Sequence, residues 1–208
     1  MSWIEVLVEG TSDVPTIREV LSRKFSLSEN DDFRIHPHQG RGNLPSDVLC
    51  KPGLKNRSLL NQLPAKLRGF GTWFTKQHWV LVVIDADTTP CNDLLRDLNA
   101  MLLKIPKHPR VLFAIAVEET ESWFIADTDA IKKAYPDANL LALKKISPDA
   151  VCGAWERLSE SIHARGKDKT TWAEKIAPHL NLINPNSPSL KRTIEGIDRE
   201  LKFLAIHP

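Results

Sequence analysis

Residues 78–87 read His-Trp-Val-Leu-Val-Val-Ile-Asp-Ala-Asp, a nearly unbroken apolar run that ends in two aspartates. β-Branched and aromatic residues in such a run are typical of a strand buried on both faces of a parallel sheet. Residues 78–84 are therefore predicted to form the central strand of the fold. Because Asp85 and Asp87 follow directly, the carboxyl end of this strand is acidic.

Shorter apolar runs on either side alternate with segments whose apolar residues recur at helical spacing. Further strands are predicted at residues 3–8, 33–38 and 110–117, and helices at about 15–25, 58–70 and 92–103. Pro64 is expected to begin a new turn of the second helix or to kink it. Strand alternating with helix predicts an α/β fold with a doubly wound, mainly parallel sheet and helices on both faces.

The pattern changes after Asp127, where helical segments are joined by proline-rich turns. These helices are predicted around residues 130–134, 150–164, 172–179 and 189–204. We therefore predict an α/β core over residues 1–127 and a helical C-terminal extension, residues 128–208, packed on that core.

The composition is that of an ordinary globular protein, with 42% hydrophobic and 26% charged residues in a chain of 208. No apolar stretch reaches the length that a bilayer requires. The first residues lack the basic start and the small-residue cleavage site of a secretory signal. We therefore expect a cytoplasmic protein without membrane contact.

The net charge of +2 says little about partners, but the charges are unevenly distributed. Acidic residues gather at the ends of the predicted strands, whereas basic residues fall between the second and third strands. These basic residues are Lys51, Lys55, Arg57, Lys66 and Arg68. The arrangement suits a metal site beside a surface that attracts phosphate.

Three of the four predicted strands end in acidic residues, and doubly wound sheets bind their ligands at the carboxyl ends of the strands. Glu9 ends the first strand. Asp85 and Asp87 are two residues apart, so a bend after Ile84 would aim both at one cation. Carboxylate oxygens select Mg²⁺ or Mn²⁺. The sequence therefore predicts a divalent-metal site at this edge.

The acidic residues after the fourth strand cannot all point to one place. On a helix, Glu118 and Glu121 would share a face while Glu119 would turn away. An acidic first turn is also favoured by the helix dipole alone, without any metal. Asp13 suits a helix cap and a metal ligand equally. These alternatives stay open.

Two further polar features lie in and after the second predicted strand. His36 and His38 alternate along the strand, but no third metal ligand is evident, so a structural or surface role is favoured. Residues 39–43 form a glycine-containing loop that lacks the ending of a Walker phosphate loop. Arg41 of this loop is expected to touch a phosphate substrate.

Two of these motifs resemble a known family. Val8-Glu9-Gly10-Thr11-Ser12-Asp13 followed by Ile84-Asp85-Ala86-Asp87 resembles the Toprim fold of topoisomerases, primases and the OLD-type (overcoming-lysogenisation-defect) nucleases. The chain looks still more like small stand-alone Toprim-like proteins of a domain-of-unknown-function family. That likeness rests on the stretch from Glu119-Thr120-Glu121-Ser122-Trp123 to Asp127 and on Ser187-Pro188-Ser189, so it covers nearly the whole chain.

The resemblance implies roles for individual residues. It makes Asp85 and Asp87 metal ligands and Glu9 a ligand or general base. It makes Asp13 and either Glu119 or Glu121 candidates for a second Mg²⁺ or Mn²⁺ ion. A lysine near the site would support the transition state, and Lys169 is the first choice, with Lys167 behind it.

The implied activity is that of a metal-dependent nuclease that hydrolyses nucleic-acid phosphodiesters, with DNA favoured over RNA. The resemblance also implies a partner ATPase of the ABC or AAA type and a role in defence against phage or plasmids, and it allows a homo-oligomer. Topoisomerase chemistry needs a tyrosine nucleophile. Tyr135, the only tyrosine, has no base beside it in the sequence, so strand-passing topoisomerase activity is not expected of this chain alone.

Two other functions remain open from the sequence. One is a non-catalytic Toprim-like binding module that needs a partner ATPase. The other is an unrelated α/β enzyme, such as a phosphotransferase, in which the acidic residues simply cap helices.

Overall fold

A computed structural model describes residues 2–53, 55–149, 153–164 and 166–206. Four parallel strands form one sheet in the order β2-β1-β3-β4. The strands are β1 (Trp3–Val8), β2 (Phe33–Pro37), β3 (His78–Asp85) and β4 (Arg110–Ala116). The predicted α/β class with a parallel, doubly wound sheet is confirmed.

The central position of β3 follows from its residues. It pairs with β1 on one side and with β4 on the other, and residues 79–84 are buried. Its even-numbered apolar residues face one layer of helices and its odd-numbered ones face another, because side chains alternate along a strand. A residue that was polar on either face would therefore be buried without a partner.

Two helices cover one face of the sheet. These are α2 (Leu59–Trp73) and α3 (Cys91–Leu103), whose leucines pack against Leu7, Val80 and Val82. The α2 helix continues through Pro64 as a single helix, so the alternative in which the proline begins a new turn is wrong, and the alternative of a kink stays a prediction. Tertiary packing of Leu63 and Leu67 holds the helix across the missing amide hydrogen bond.

The opposite face is covered by helices from both ends of the chain. The first is α1 (Asp13–Glu19), which continues as a π-helical segment, Val20–Lys24. The others are α4 (Glu121–Ile125), α5 (Thr128–Ala134), α6 (Ala154–Ser161), α7 (Lys169–Ile176) and α8 (Pro188–Ile206), with 3-10 turns at Leu143–Lys145 and Ala177–His179. Helices therefore lie on both faces.

The C-terminal helices share one apolar core with the sheet. Trp172, Ile176 and Ile197 are buried in the same cluster as Ile4 and Val6. Within α8, a Cβ added at Gly196 would lie 3.0 Å from the Leu112 side chain, so glycine permits the close approach of α8 to β4.

The helix predicted at residues 150–164 is shorter in the structure. It begins at Ala154 and ends at Ser161, while residues 150–152 of the prediction lie outside the described residues. Across the described ranges, no helix combines the length and the apolar character that crossing a membrane requires.

Candidate metal centre

The carboxyl ends of β1, β3 and β4 meet at one edge of the sheet because the strands are parallel and adjacent. Glu9 directly follows β1, and Asp85 is the last residue of β3. One carboxylate oxygen of Glu9 accepts a hydrogen bond of 2.9 Å from the backbone N–H of Asp85. The two residues predicted to act together are therefore in direct contact.

Asp13 joins this edge from the start of α1, and its side chain is buried. One carboxylate oxygen accepts the Gly10 N–H at 3.0 Å, and the other accepts the Thr120 hydroxyl at 2.9 Å. Asp13 thus bonds back to the loop after β1 and across to the segment after β4. Neither bond caps the first amides of α1, so the helix-cap interpretation of Asp13 is not what the structure shows.

The Glu118 side chain does not join the other carboxylates at the sheet edge. Its φ of +60° places it in the left-handed region, and α4 begins only at Glu121. Its carboxylate accepts the backbone N–H groups of Gly153 and Ala154, at the beginning of α6. The expectation that Glu118 and Glu121 share a helix face is therefore wrong, because Glu118 precedes the helix in a different backbone conformation.

Glu119 and Glu121 meet instead at Lys169. The Lys169 Nζ lies 3.0 Å from an oxygen of Glu119 and 3.4 Å from one of Glu121. Lys169 is the first residue of α7, whose N-cap Asp168 accepts the Thr171 N–H at 3.0 Å. The lysine chosen from the sequence is therefore brought to the acidic edge. The Nζ atoms of Lys167 and Lys169 lie over the same Trp155 ring, 4.4 and 5.6 Å from its centre.

Burial and mutual repulsion raise the pKa values of these carboxyls. Burial raises the pKa of Glu9 to about 8, with the charges of Asp13 and Asp87 adding to the effect. Burial also raises the pKa of Asp13. The pKa of Asp85 lies well above its usual range because of burial and then because of Asp13 and Glu9. A cation among these groups would relieve both causes.

Lys169 compensates only part of this charge. Burial raises the pKa of Glu121 to about 7 even though Lys169 acts in the opposite direction. Burial of Lys169 itself works against its charge, but the attraction of Glu121 and Glu119 raises the Lys169 pKa above its ordinary value. This lysine therefore stays protonated beside the carboxylates.

Asp87 lies at the rim of the centre and is exposed, with a left-handed φ of +47°. Arg41 reaches it from the loop after β2, with an Nη1 to Oδ2 distance of 3.0 Å. The same guanidinium donates to the Ala86 carbonyl and to the Thr89 hydroxyl, each at 2.9 Å. Arg41, expected to meet phosphate, thus holds the turn that carries Asp87.

The donor chemistry of the centre fits Mg²⁺ or Mn²⁺, which prefer carboxylate oxygens and keep several waters. Glu9 and Asp85 would hold an ion, with Asp87 or Asp13 as further ligands. In the part of the chain that the structure describes, no three His, Cys, Asp or Glu side chains are yet arranged as a ready ligand set. Side chains such as Asp13, whose oxygens already accept two bonds, would have to turn.

The rings of His36 and His38 contact different groups of the protein, so the structure does not bring them together as a pair of metal ligands. His36 contacts the Glu5 carboxylate, and the His38 Nδ1 lies 2.8 Å from the Val8 carbonyl.

Among the residues that bring the centre together, Thr120 was not predicted from the sequence. It lies between two glutamates without any signal of its own, and only its contact with Asp13 reveals it.

Comparison with known proteins places the chain in a family. No curated protein and no solved structure gives a significant match. A family described as a domain of unknown function, DUF4276, matches residues 8–198, from the last residue of β1 into α8. The matched region contains every residue of the centre described above. The chain therefore belongs to the DUF4276 family of domains of unknown function.

Proposed function

We propose that this protein is a divalent-metal-dependent nuclease that hydrolyses nucleic-acid phosphodiesters. The observation that carries the proposal is the convergence of Glu9, Asp13 and Asp85 at one sheet edge, where Asp13 raises the pKa of Glu9 and both raise the pKa of Asp85. Such repulsion is costly in a protein that never binds a cation there. Perturbed carboxyls at the carboxyl ends of parallel strands are also where α/β enzymes place their chemistry.

The side chains suit distinct roles in hydrolysis. A bound Mg²⁺ or Mn²⁺ would act as a Lewis acid on a phosphate oxygen and on water. Glu9, at the end of β1 and in contact with the Asp85 backbone, would either hold the ion or accept the proton of the attacking water as a general base. Asp85 supplies a ligand oxygen. Lys169 offers a fixed positive charge to a phosphate oxygen, held in place by Glu119 and Glu121.

The finer parts of the proposal rest on the Toprim-like motifs of the sequence. They support DNA rather than RNA as the substrate. They also support an ATPase partner of the ABC or AAA type, and a role for the pair in defence against phage or plasmids.

A second candidate is a Toprim-like module that cleaves nothing unless a partner ATPase is bound. One observation favours it: both Asp13 oxygens already accept hydrogen bonds, from Gly10 and Thr120, and Asp87 is already paired with Arg41. A partner that reorients Asp13 or Asp87 would complete the ligand set.

The test is cleavage of supercoiled and linear plasmid DNA by the purified chain in Mg²⁺, in Mn²⁺ and in EDTA. Asp85→Asn and Glu9→Gln should each lower the rate by roughly 100-fold or more, because each removes a ligand or the base. Asp97→Asn, at an exposed position on α3, is the matched control and should keep full activity.

Equal cleavage by all variants would reveal a contaminating nuclease and overturn the proposal. Cleavage by the wild-type chain only after addition of an ATPase encoded beside its gene would establish the second candidate instead.

A further inference from the structure

A second concave site lies beside the metal centre, at the carboxyl end of β2. It is a cavity of about 530 Å³ between the last residues of β2, the residues Pro52, Gly53 and Arg57, and one face of α2. Its polar lining includes His36, His38, Arg57 and Lys66. We call it the basic pocket.

Backbone hydrogen bonds join the segment that lines the basic pocket to the end of β1, which carries Glu9. The Val8 carbonyl accepts the His38 N–H at 3.1 Å, and the Glu9 carbonyl accepts the Gly40 N–H at 2.9 Å. β2 pairs directly with β1, and β1 pairs with β3. Because neighbouring strands lie about 4.8 Å apart, the pocket is one strand spacing from Glu9 and two, roughly 10 Å, from Asp85.

Positive charge in the pocket is only partly balanced by a nearby carboxylate. No acidic residue is among the described residues that line it. The Glu5 carboxylate attracts Lys66, but it is already engaged by His36 and by the Trp3 indole. Among the described contacts, the side chains of Lys66 and Arg57 make neither an ion pair nor a hydrogen bond. Burial lowers the pKa of Lys66 despite the attraction of Glu5, so an anionic ligand would stabilise this half-buried cation.

The remaining groups do not oppose an anion. His38 uses Nδ1 on the Val8 carbonyl, and burial lowers its pKa, so the ring is neutral at physiological pH. Arg57 is exposed at the mouth, where it can meet a ligand as it enters. Phosphate is the anion that arginine and lysine together recognise in nucleic-acid sites.

We propose that the basic pocket binds a phosphate group of the same nucleic-acid strand on which the metal centre acts. This inference rests on the proposed nuclease function and deepens it, because it adds a fixed contact one to two strand spacings from the scissile bond. The group is either a terminal phosphate monoester or an internal phosphodiester, and both present the same anionic oxygens.

DNA binding tests the proposal in EDTA, where no cleavage occurs. Fluorescence anisotropy with a short single-stranded DNA at low salt should show at least about fivefold weaker binding for Lys66→Gln and for Arg57→Gln. The slope of log K against log salt concentration should become shallower by about 0.7 for each phosphate that the variant no longer binds. Lys51→Gln and Lys55→Gln, exposed in the same segment but outside the pocket lining, are the matched controls.

The DNA is used with and without a 5′-phosphate. Weaker binding confined to the phosphorylated DNA assigns the pocket to a terminal monoester, and equal weakening on both assigns it to an internal phosphodiester. Equal weakening in the pocket variants and in the control variants overturns the proposal.

A second readout separates the pocket from the nuclease activity. Inorganic phosphate should raise the melting temperature of the wild-type chain more than chloride does at equal ionic strength, and this difference should vanish in Lys66→Gln. The same difference in both proteins overturns the pocket, whatever the cleavage assay gives. Its disappearance in the variant supports the pocket even if no DNA is cleaved.

Discussion

The Glu9 carboxylate accepts the backbone N–H of Asp85 at 2.9 Å, which links the end of β1 directly to the end of β3. The donor is a main-chain group, so substituting the Asp85 side chain leaves the link in place. Glu9 is thereby fixed where burial and neighbouring carboxylates most disfavour its charge. The hydrogen bond itself favours the charged form of Glu9, but burial outweighs it and raises the pKa, and this makes the stability of the metal-free chain depend on pH.

We predict that the metal-free protein becomes less stable as the pH rises from about 5 to about 8. The pKa of Glu9 is about 8 in the folded chain against an ordinary value of 4.5, so over this range the folded state keeps a proton that the unfolded state releases. Glu9 should contribute a decrease on the order of 2 kcal/mol after screening by water, and this contribution should level off above pH 8. Urea unfolding in EDTA at several pH values measures it.

Glu9→Gln keeps a hydrogen-bond acceptor for the Asp85 amide but does not ionise, so its stability should depend less on pH. Glu174→Gln, exposed on α7, should behave like the wild type. Parallel pH curves for wild type and Glu9→Gln would contradict the prediction.

We predict that Lys169→Met destabilises the fold by about 1–3 kcal/mol at pH 8, because two carboxylates then remain without their cation. The Glu121 side chain is only 4% exposed, so water cannot replace the lysine. Adding Glu121→Gln to Lys169→Met should restore much of the stability, which a double-mutant cycle in urea would measure.

Lys175→Met, at an exposed position on the same helix, is the control and should change the unfolding free energy by less than about 0.5 kcal/mol. If the effects of the Lys169 and Glu121 substitutions simply add, the ion pair contributes nothing.

We predict that Thr120→Val lowers the free energy of unfolding by about 1–3 kcal/mol, because a buried Asp13 oxygen loses the hydroxyl donor at 2.9 Å. Valine has nearly the same shape, so packing should not account for the decrease. Thr120→Ser keeps the hydroxyl and should recover most of the stability. Thermal unfolding that does not distinguish valine from serine at this position would rule out a role for the hydrogen bond.

We predict that Arg41→Lys loosens the turn after β3. The guanidinium contacts Ala86, Asp87 and Thr89 at once, and an ammonium group cannot span these acceptors. Hydrogen exchange of the amides at residues 86–89 should quicken, with a decrease in stability of about 1–2 kcal/mol. Arg34→Lys, exposed on β2, should leave this exchange unchanged. Unchanged exchange in Arg41→Lys would contradict the prediction.

Much of the sheet could be predicted from the sequence because its signals are local. The apolar run that forms β3 and the Glu9-Gly10 step after β1 each lie within a few residues, and parallel strands bring their ends together. The helices can be predicted within a few residues for the same reason. Nothing local marks the π-helical segment Val20–Lys24, and the short α4 shows in the sequence only as an acidic first turn.

The inner contacts of the centre could not be predicted in the same way. Thr120 and Asp13 are 107 positions apart, and Lys169 and Glu119 are 50 apart, so no spacing pattern joins them. The sequence indicates Lys169 through resemblance, while the fold alone shows which glutamates it contacts. The left-handed backbone conformation of Glu118 directs its carboxylate to α6. No neighbouring residue in the sequence predicts this conformation.

The contacts of Glu118 with α6 and of Lys169 with Glu119 and Glu121 cross the predicted boundary at residue 127. All four strands of the sheet precede this boundary, but both halves of the chain supply charges to one centre. Recombination that joined the first half of one family member to the second half of another would separate Glu119 and Glu121 from the lysine that pairs with them, and Glu118 from the amides of α6. We expect the two halves to have been inherited together, with substitutions at one side of a pair compensated at the other.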